Sequence, residues 1–206
     1  MYIPVHFKIN DPVEIRSFVR AHPFGMLLTN GVEVPEVTHL PMQLKSNEGH
    51  NDAISFHMAK ANPHSKSIVD GEKSVAVFRG VHRYISPRWY EAKDNVPTWN
   101  YIVVHAVGVL RKIEKKDELI KLVDSLSAEH EALADTPWKA DWSDSKINNF
   151  LNAITGFEMR ILNWEGKKKL SQNKSEFDQA ILKKNLEQSE EEDYLHLAQQ
   201  MKTGRN

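Results

Sequence analysis

The 206-residue chain has no cysteine, which excludes disulfides, thiolate metal sites, iron–sulfur clusters and cysteine nucleophiles. Long apolar runs are missing as well. The longest, such as Val75–Phe78 and Tyr101–Val104, are four residues, far short of the ~18 a membrane helix needs. Met1–Lys8 carries Pro4, His6 and Lys8 and offers no apolar core for a signal peptide. The expectation is a cytoplasmic protein without membrane contact. Charge of one sign is missing too: 27 Lys+Arg stand against 28 Asp+Glu, net −1, so any nucleic-acid surface is a local patch rather than a basic domain. No GxSxG elbow, Gly-rich dinucleotide loop or P-loop occurs. HExxH and histidine pairs at i,i+4 are also absent, so no metal site is expected.

What is present reads as α+β. Asp11-Pro12 with Glu14 opens a capped helix carrying Val13, Ile15, Phe18 and Val19, and Pro23 stops it. Gly25–Thr29 and Glu33–Leu44 read as strands joined at Asn30-Gly31, a hairpin signal. Ile54, Phe56 and Met58 alternate with Ser55 and His57, a strand of period two. Asn62-Pro63 opens a short helical segment that Gly71 ends. Ser74–Arg79 and His82–Ser86 are β-rich on either side of Gly80. Thr98–Ile113 gives the longest strand signal, apolar on both faces. That marks a strand buried on both sides, or one with core on one side and a subunit interface on the other.

Lys116–Leu133 repeats leucine and valine at helical spacing, Ser143 can cap a second helix, and Phe157–Trp164 reads as a final strand. The order predicts an antiparallel barrel with flanking helices. Residues 1–173 form the barrel domain, and 174–206 form a charged helical extension carrying Ile181, Leu182, Leu186, Leu195 and Leu197.

Four segments are denser in polar, aromatic and basic groups than a barrel needs. Thr38-His39 ends a strand with a hydroxyl and an imidazole, suited to a cleft or simply to a sheet edge. His57–Lys66 runs from a strand through a loop into a helix start. Backbone N–H groups there, with Lys60, Asn62, Ser65 and Lys66, suit an anion; solvated lysines on a capped helix explain the same residues. Arg79–Tyr90 interleaves Arg79, Arg83 and Arg88 with Tyr84, Trp89 and Tyr90, which fits a planar anionic ligand or a protein interface. Trp99 and Asn100 lead into the long strand, where ordinary edge packing is the alternative. Arg111-Lys112-Lys115-Lys116, Lys167–Lys169 and Lys183-Lys184 are the candidates for DNA contact, or else solvated helix ends.

At these segments the chain resembles the PaiB-type proteins, transcriptional regulators of the protease-synthase-and-sporulation negative-regulator kind. The matching strings are Met1–Pro4, Thr38–Pro41, His57–Pro63, Tyr84–Pro87, Trp89-Tyr90, Val96–Tyr101, Gly156–Glu158 and Lys169–Asn173. The resemblance implies a six-stranded antiparallel split β-barrel of the FMN-binding type, a homodimer, and FMN or a similar planar anion as ligand. It implies a repressor acting on degradative-enzyme, protease and sporulation genes, contacting DNA directly or through a partner.

By residue, it implies the phosphate at His57, Lys60, Asn62 and Lys66, and Thr38 and His39 beside the ribityl chain or ring. Trp89, Trp99 and Asn100 would then lie near the isoalloxazine, with Lys169 and Asn173 closing the site. Lys60 stands where an arginine is expected and Ser65 where an aromatic is expected, which removes a bidentate phosphate contact and a stacking surface. No catalytic residue is assigned. An FMN-dependent oxidoreductase of the pyridoxamine-phosphate-oxidase or flavin-reductase type is the alternative function. Haem binding is a minor one, consistent with ten histidines.

Overall fold

The computed structural model describes residues 1–46 and 52–201; positions 202–206 of the expected extension lie outside them. In chain order the elements are β1 (Lys8–Ile9), α1 (Pro12–Ala21), β2 (Phe24–Thr29), β3 (Glu36–Pro41), β4 (Gln43–Lys45), β5 (Ala53–Ala59) and α2 (Pro63–Ser67). Then follow β6 (Lys73–Ile85), β7 (Thr98–Ile113), α3 (Lys116–Glu131), α4 (Ser145–Phe150), β8 (Ile154–Lys169), α5 (Glu176–Glu187) and α6 (Glu192–Gln200). The strands form one open sheet in the order β3-β2-β6-β7-β8-β5-β4, with β1 paired to β8. This is the antiparallel architecture the pattern predicts, with eight strands rather than six; the additions include the two shortest, β1 and β4.

Three local expectations are corrected. Asn30-Gly31 does not make a two-residue hairpin: Thr29 pairs with Glu36, leaving a six-residue loop. Pro35, which has no N–H to give a ladder, immediately precedes the returning strand. The single strand expected over Glu33–Leu44 divides after Pro41, and Met42 donates instead to the Pro23 carbonyl at 2.8 Å. Glu14 does not close a capping box. Asp11 Oδ1 accepts from the Val13 N–H at 2.8 Å, while the Glu14 carboxylate takes Lys168 Nζ at 3.0 Å.

The chain divides into two compact units. The first comprises residues 1–18, 79–104 and 165–206; the second comprises 19–78 and 105–164. In the second, Leu27, Ile54, Phe56, Met58, Ala76, Phe78, Phe157 and Met159 are buried. Phe56 and Phe157 stand opposite each other in register and stack at 5.5 Å between ring centroids. A satellite core of Leu119, Leu122, Leu126 and Leu151 joins α3 to Ile113. In the first unit Phe7, Ile9, Ile15, Ile85, Leu170, Leu182, Leu186 and Leu197 are buried. Gly166 lets β1 and α1 approach β8 closely, since a Cβ there would lie 2.9 Å from Ile9 Cβ and 3.3 Å from Ile15 Cγ1.

Candidate functional site

The second unit holds a polar cluster around His64. Asn62 caps α2 by accepting the His64 N–H on Oδ1 at 3.0 Å, and Pro63 fills the first helical position. That cap presents the buried His64 ring to two strand hydroxyls: Nε2 lies 2.9 Å from Thr29 Oγ1 and Nδ1 lies 2.7 Å from Thr38 Oγ1. Burial lowers the His64 pKa, with Glu36 and Glu72 opposing that effect. A neutral imidazole donates through one nitrogen and accepts through the other, which suits two hydroxyls. Asn62 Nδ2 also points to Thr38 Oγ1 and Met58 Sδ, at 3.4 and 3.7 Å.

Several amides of this strand-to-helix turn, where an anion is expected, are already engaged within the fold. Lys60 N–H donates to the Ala153 carbonyl, His64 N–H to Asn62 Oδ1, and Ser65 N–H to the Asn62 carbonyl. Pro63 has none. Side chains remain. Lys60 and Lys66 are exposed and make no hydrogen bond or ion pair among the described residues, and the buried Ser65 hydroxyl is likewise unengaged.

His57 lies on a different face of β5. Its strand neighbours Phe56 and Met58 point to the core, while the residue opposite it, Gly156, faces Leu119 of α3. Burial lowers its pKa, and Nδ1 has no hydrogen-bond partner. Thr38 and His39 stand on opposite faces of β3: Thr38 reaches His64, while exposed His39 stacks on Phe24 at 6.3 Å.

The remaining expected residues belong to the first unit. Asn100, buried, donates to Ser171 Oγ at 3.0 Å, and Tyr90 Oη lies 2.7 Å from the same oxygen. Burial is the main cause of a raised Tyr90 pKa. Lys169 Nζ donates to the Trp99 carbonyl at 2.6 Å and to Thr98 Oγ1. Its pKa is lowered by burial and then by the charges of Lys167 and Lys174. Trp99 is half exposed, stacked on His82 at 6.3 Å and edge-on to Tyr84 at 6.4 Å. Asn173 is exposed. Trp89 is met by the chain's own tail: Tyr194 of α6 packs edge-on at 5.4 Å, and Asn185 of α5 donates to the Trp89 carbonyl at 3.2 Å.

The basic clusters are partly paired with carboxylates. Arg111 bridges Glu118 and Glu158, Lys168 pairs with Glu14, and Lys183 with Glu187. Lys167 is buried against the rings of Tyr2 and Tyr101.

Sequence reasoning did not single out His64, Thr29, Ser171 or Asp178, which accepts the Glu91 and Ala92 N–H groups on Oδ1. A positive φ of 66° at Ser171 marks a tight turn that its sequence does not advertise.

Among the described residues, no three His, Asp or Glu side chains cluster as a metal site would require. Within the second unit, the unengaged ammonium groups of Lys60 and Lys66 and the Ser65 hydroxyl, all carried by one strand-to-helix turn, have the chemistry that fits the phosphate of FMN.

Residues 1–163 match the family model described as "Putative FMN-binding domain". The chain is 34% identical over 202 residues to the Bacillus subtilis protein "Protease synthase and sporulation protein PAI 2", covering 98% of this chain and 96% of that one. It is 27% identical to the Saccharomyces cerevisiae protein YKL070W over 153 residues, 64% of this chain and 90% of that one. Two solved structures share the fold. A Mycobacterium smegmatis FAD and heme binding protein has a TM-score of 0.60 and 12% identity, covering 79% of this chain and 73% of that one. The Azotobacter vinelandii flavocytochrome Anf3 has a TM-score of 0.54 and 15% identity, covering 79% and 69%. With the family model spanning most of the chain and the Bacillus relative nearly all of it, this protein belongs to the PaiB-type family of FMN-binding domains, with FMN as the cofactor that membership supports.

Proposed function

We propose that this protein is a homodimeric, cytoplasmic, FMN-binding regulator that restrains protease synthesis and sporulation. The observation that carries the reading is the 34% identity to a protein named for those processes, sustained over 98% of the chain. The phosphate end of the flavin is assigned to Lys60, Ser65 and Lys66. Their polar groups are unspent within the fold, whereas Asn62 and His64 are committed to shaping the turn. Bound flavin supplies one- and two-electron redox chemistry. The protein's part in this reading is to hold the phosphate with two cations and keep the strand-to-helix turn rigid through Asn62, His64, Thr29 and Thr38.

Dimerisation is supported by the outer sheet face of the second unit. Met26, Leu28, Val75, Val77, Val107 and Val109 remain half exposed there beside exposed Phe24 and Val37, an apolar area suited to a second copy.

The test has three arms. Purified protein incubated with FMN and desalted should retain absorption near ~370 and ~450 nm; a colourless protein overturns the flavin assignment. Deleting the gene in its own host should raise secreted protease activity; unchanged protease output overturns the regulatory one. An electrophoretic shift with upstream DNA at moderate salt separates direct from partner-mediated action.

A further inference from the structure

The first unit contains a cleft of about 540 Å³ that the flavin reading does not use. It lies where β1 and the end of β8 meet α5 and the end of α6. Four lysines line it, Lys8, Lys168, Lys174 and Lys183, against two carboxylates, Glu14 and Glu176. Internal pairing removes part of that charge: Lys168 binds Glu14 at 3.0 Å and Lys183 faces Glu187 at 3.7 Å. Lys8 makes no ion pair or hydrogen bond through its side chain among the described residues, and Lys174 has only the Tyr90 ring, 5.8 Å from its ammonium. Two cations, Lys8 and Lys174, are thus left without an ion-pair partner among the described residues, against one unpaired carboxylate, Glu176.

The surrounding field agrees. Lys169 next to the cleft is held below the ordinary lysine pKa by burial first and then by the charges of Lys167 and Lys174, so further cations stand close by. The other component of the lining is apolar: Ile9, Leu170 and Met201 are buried residues contributing to its wall. A volume in the ~300–1,000 Å³ range of small-molecule sites, with cations over an apolar wall, selects a ligand that carries both characters. A concave cleft of this size does not fit a DNA duplex.

We propose that this cleft is a second binding site, separate from the flavin site, for a small amphipathic carboxylate whose anionic head meets Lys8 and Lys174 and whose hydrocarbon body lies on Ile9, Leu170 and Met201. Loss of the free cations should remove the preference for charge while leaving apolar contact.

Octanoate and its neutral analogue octanamide are the probes, titrated calorimetrically into the full chain saturated with FMN at fixed ionic strength. Octanoate is expected to bind about tenfold or more tightly than octanamide. In the Lys8→Gln/Lys174→Gln double variant that ratio should fall toward one, while Lys139→Gln, an exposed lysine of the second unit, leaves it unchanged. A thermal melt of each variant separates loss of the site from loss of the fold, and single variants serve if the double one does not fold. Equal affinity for the two probes, an unaltered ratio in folded variants, or no binding of either up to about 10 mM overturns the proposal. So does displacement of octanoate by excess FMN, which would give the cleft to the flavin. Failure of FMN retention alone sinks the flavin reading and leaves this one standing.

Discussion

Arg83 Nη2 lies 2.5 Å from Asp193 Oδ2, and its guanidinium carbon stands 5.5 Å above the ring centroid of Tyr194. An arginine of β6 is thereby held by a carboxylate and a ring of α6, and Trp89 meets the same tyrosine. The arginine-aromatic segment that composition offers to a planar anion is matched by an acidic-aromatic segment of the chain's own tail. The ion pair is partly exposed, so Asp193→Asn should cost less than about 1 kcal/mol. Tyr194→Ala removes an edge-on ring contact and a cation–π contact together and should cost about 1–3 kcal/mol. It should also shift tryptophan emission to the red. Urea unfolding followed by fluorescence measures both, and equal effects of the two substitutions would contradict this division.

Flavin affinity should depend on Lys60 and Lys66 more than on His57. Each lysine is exposed and unengaged, so replacing it with glutamine removes a charge-assisted contact without disturbing a neighbour. Lys60→Gln and Lys66→Gln should each weaken FMN binding about tenfold, at 1.4 kcal/mol per decade. His57→Gln should leave affinity near wild type while lowering stability, because the ring sits on the face that meets α3. Fluorescence titration of FMN reads all three; retained affinity in both lysine variants would remove the phosphate assignment.

Stability should fall with acidification through the histidine range. His64 is buried and His57 half-buried, and burial holds each below the ordinary value of about 6.5. Between the folded value and about 6.5, the unfolded chain binds more protons than the folded one. Their stabilising contribution is therefore complete above about 6.5 and is lost as pH drops through the folded values. Glu36, which faces the His64 ring, and Glu72 reduce the effect without reversing it. Chemical unfolding at pH 7.5 and 5.5 should show the loss, and His64→Gln should shrink it. A slope unchanged in that variant would place the proton uptake elsewhere.

The apolar outer face of β2, β3 and β6 makes a separate prediction about assembly. Met26 pairs with Val77 and Leu28 with Val75, so four half-exposed side chains share one face. Val77→Asp puts a charge at its centre and should convert a dimer to monomer in light scattering at micromolar concentration without lowering the melting temperature of the monomer. A wild-type protein that is already monomeric would dismiss the dimer.

The parts of this fold that were legible are those whose signal is local. β7 runs over the predicted Thr98–Ile113 because every second residue from Asn100 to Leu110 is buried, a period that short windows reveal. The Asn30-Gly31 hairpin misled because the pair is a strong turn signal, yet ladder pairing resumes only at Glu36, after Pro35. The His64 cluster was invisible for a different reason. Its two hydroxyl partners lie 35 and 26 residues away, and no local pattern announces an imidazole suspended between two strands. Arg83 and Trp89 show the same limit, since what covers them arrives about a hundred residues later.

Ser171 offers the sharpest test of a backbone argument. Its φ of 66° lies in the left-handed region, which costs a non-glycine residue about 1–2 kcal/mol, and its hydroxyl is the common partner of buried Tyr90 and Asn100. Ser171→Gly removes the hydroxyl but relaxes the backbone, so the two effects oppose. Ser171→Ala removes the same hydroxyl and keeps the strain. Leaving a buried phenol and amide short of a partner costs about 1–3 kcal/mol. The alanine variant should therefore be less stable than wild type by that amount, and the glycine variant should recover about 1 kcal/mol of it. Equilibrium unfolding of both measures the difference. If glycine proves no better than alanine, the turn is not strained and the hydroxyl network alone holds the chain reversal after β8.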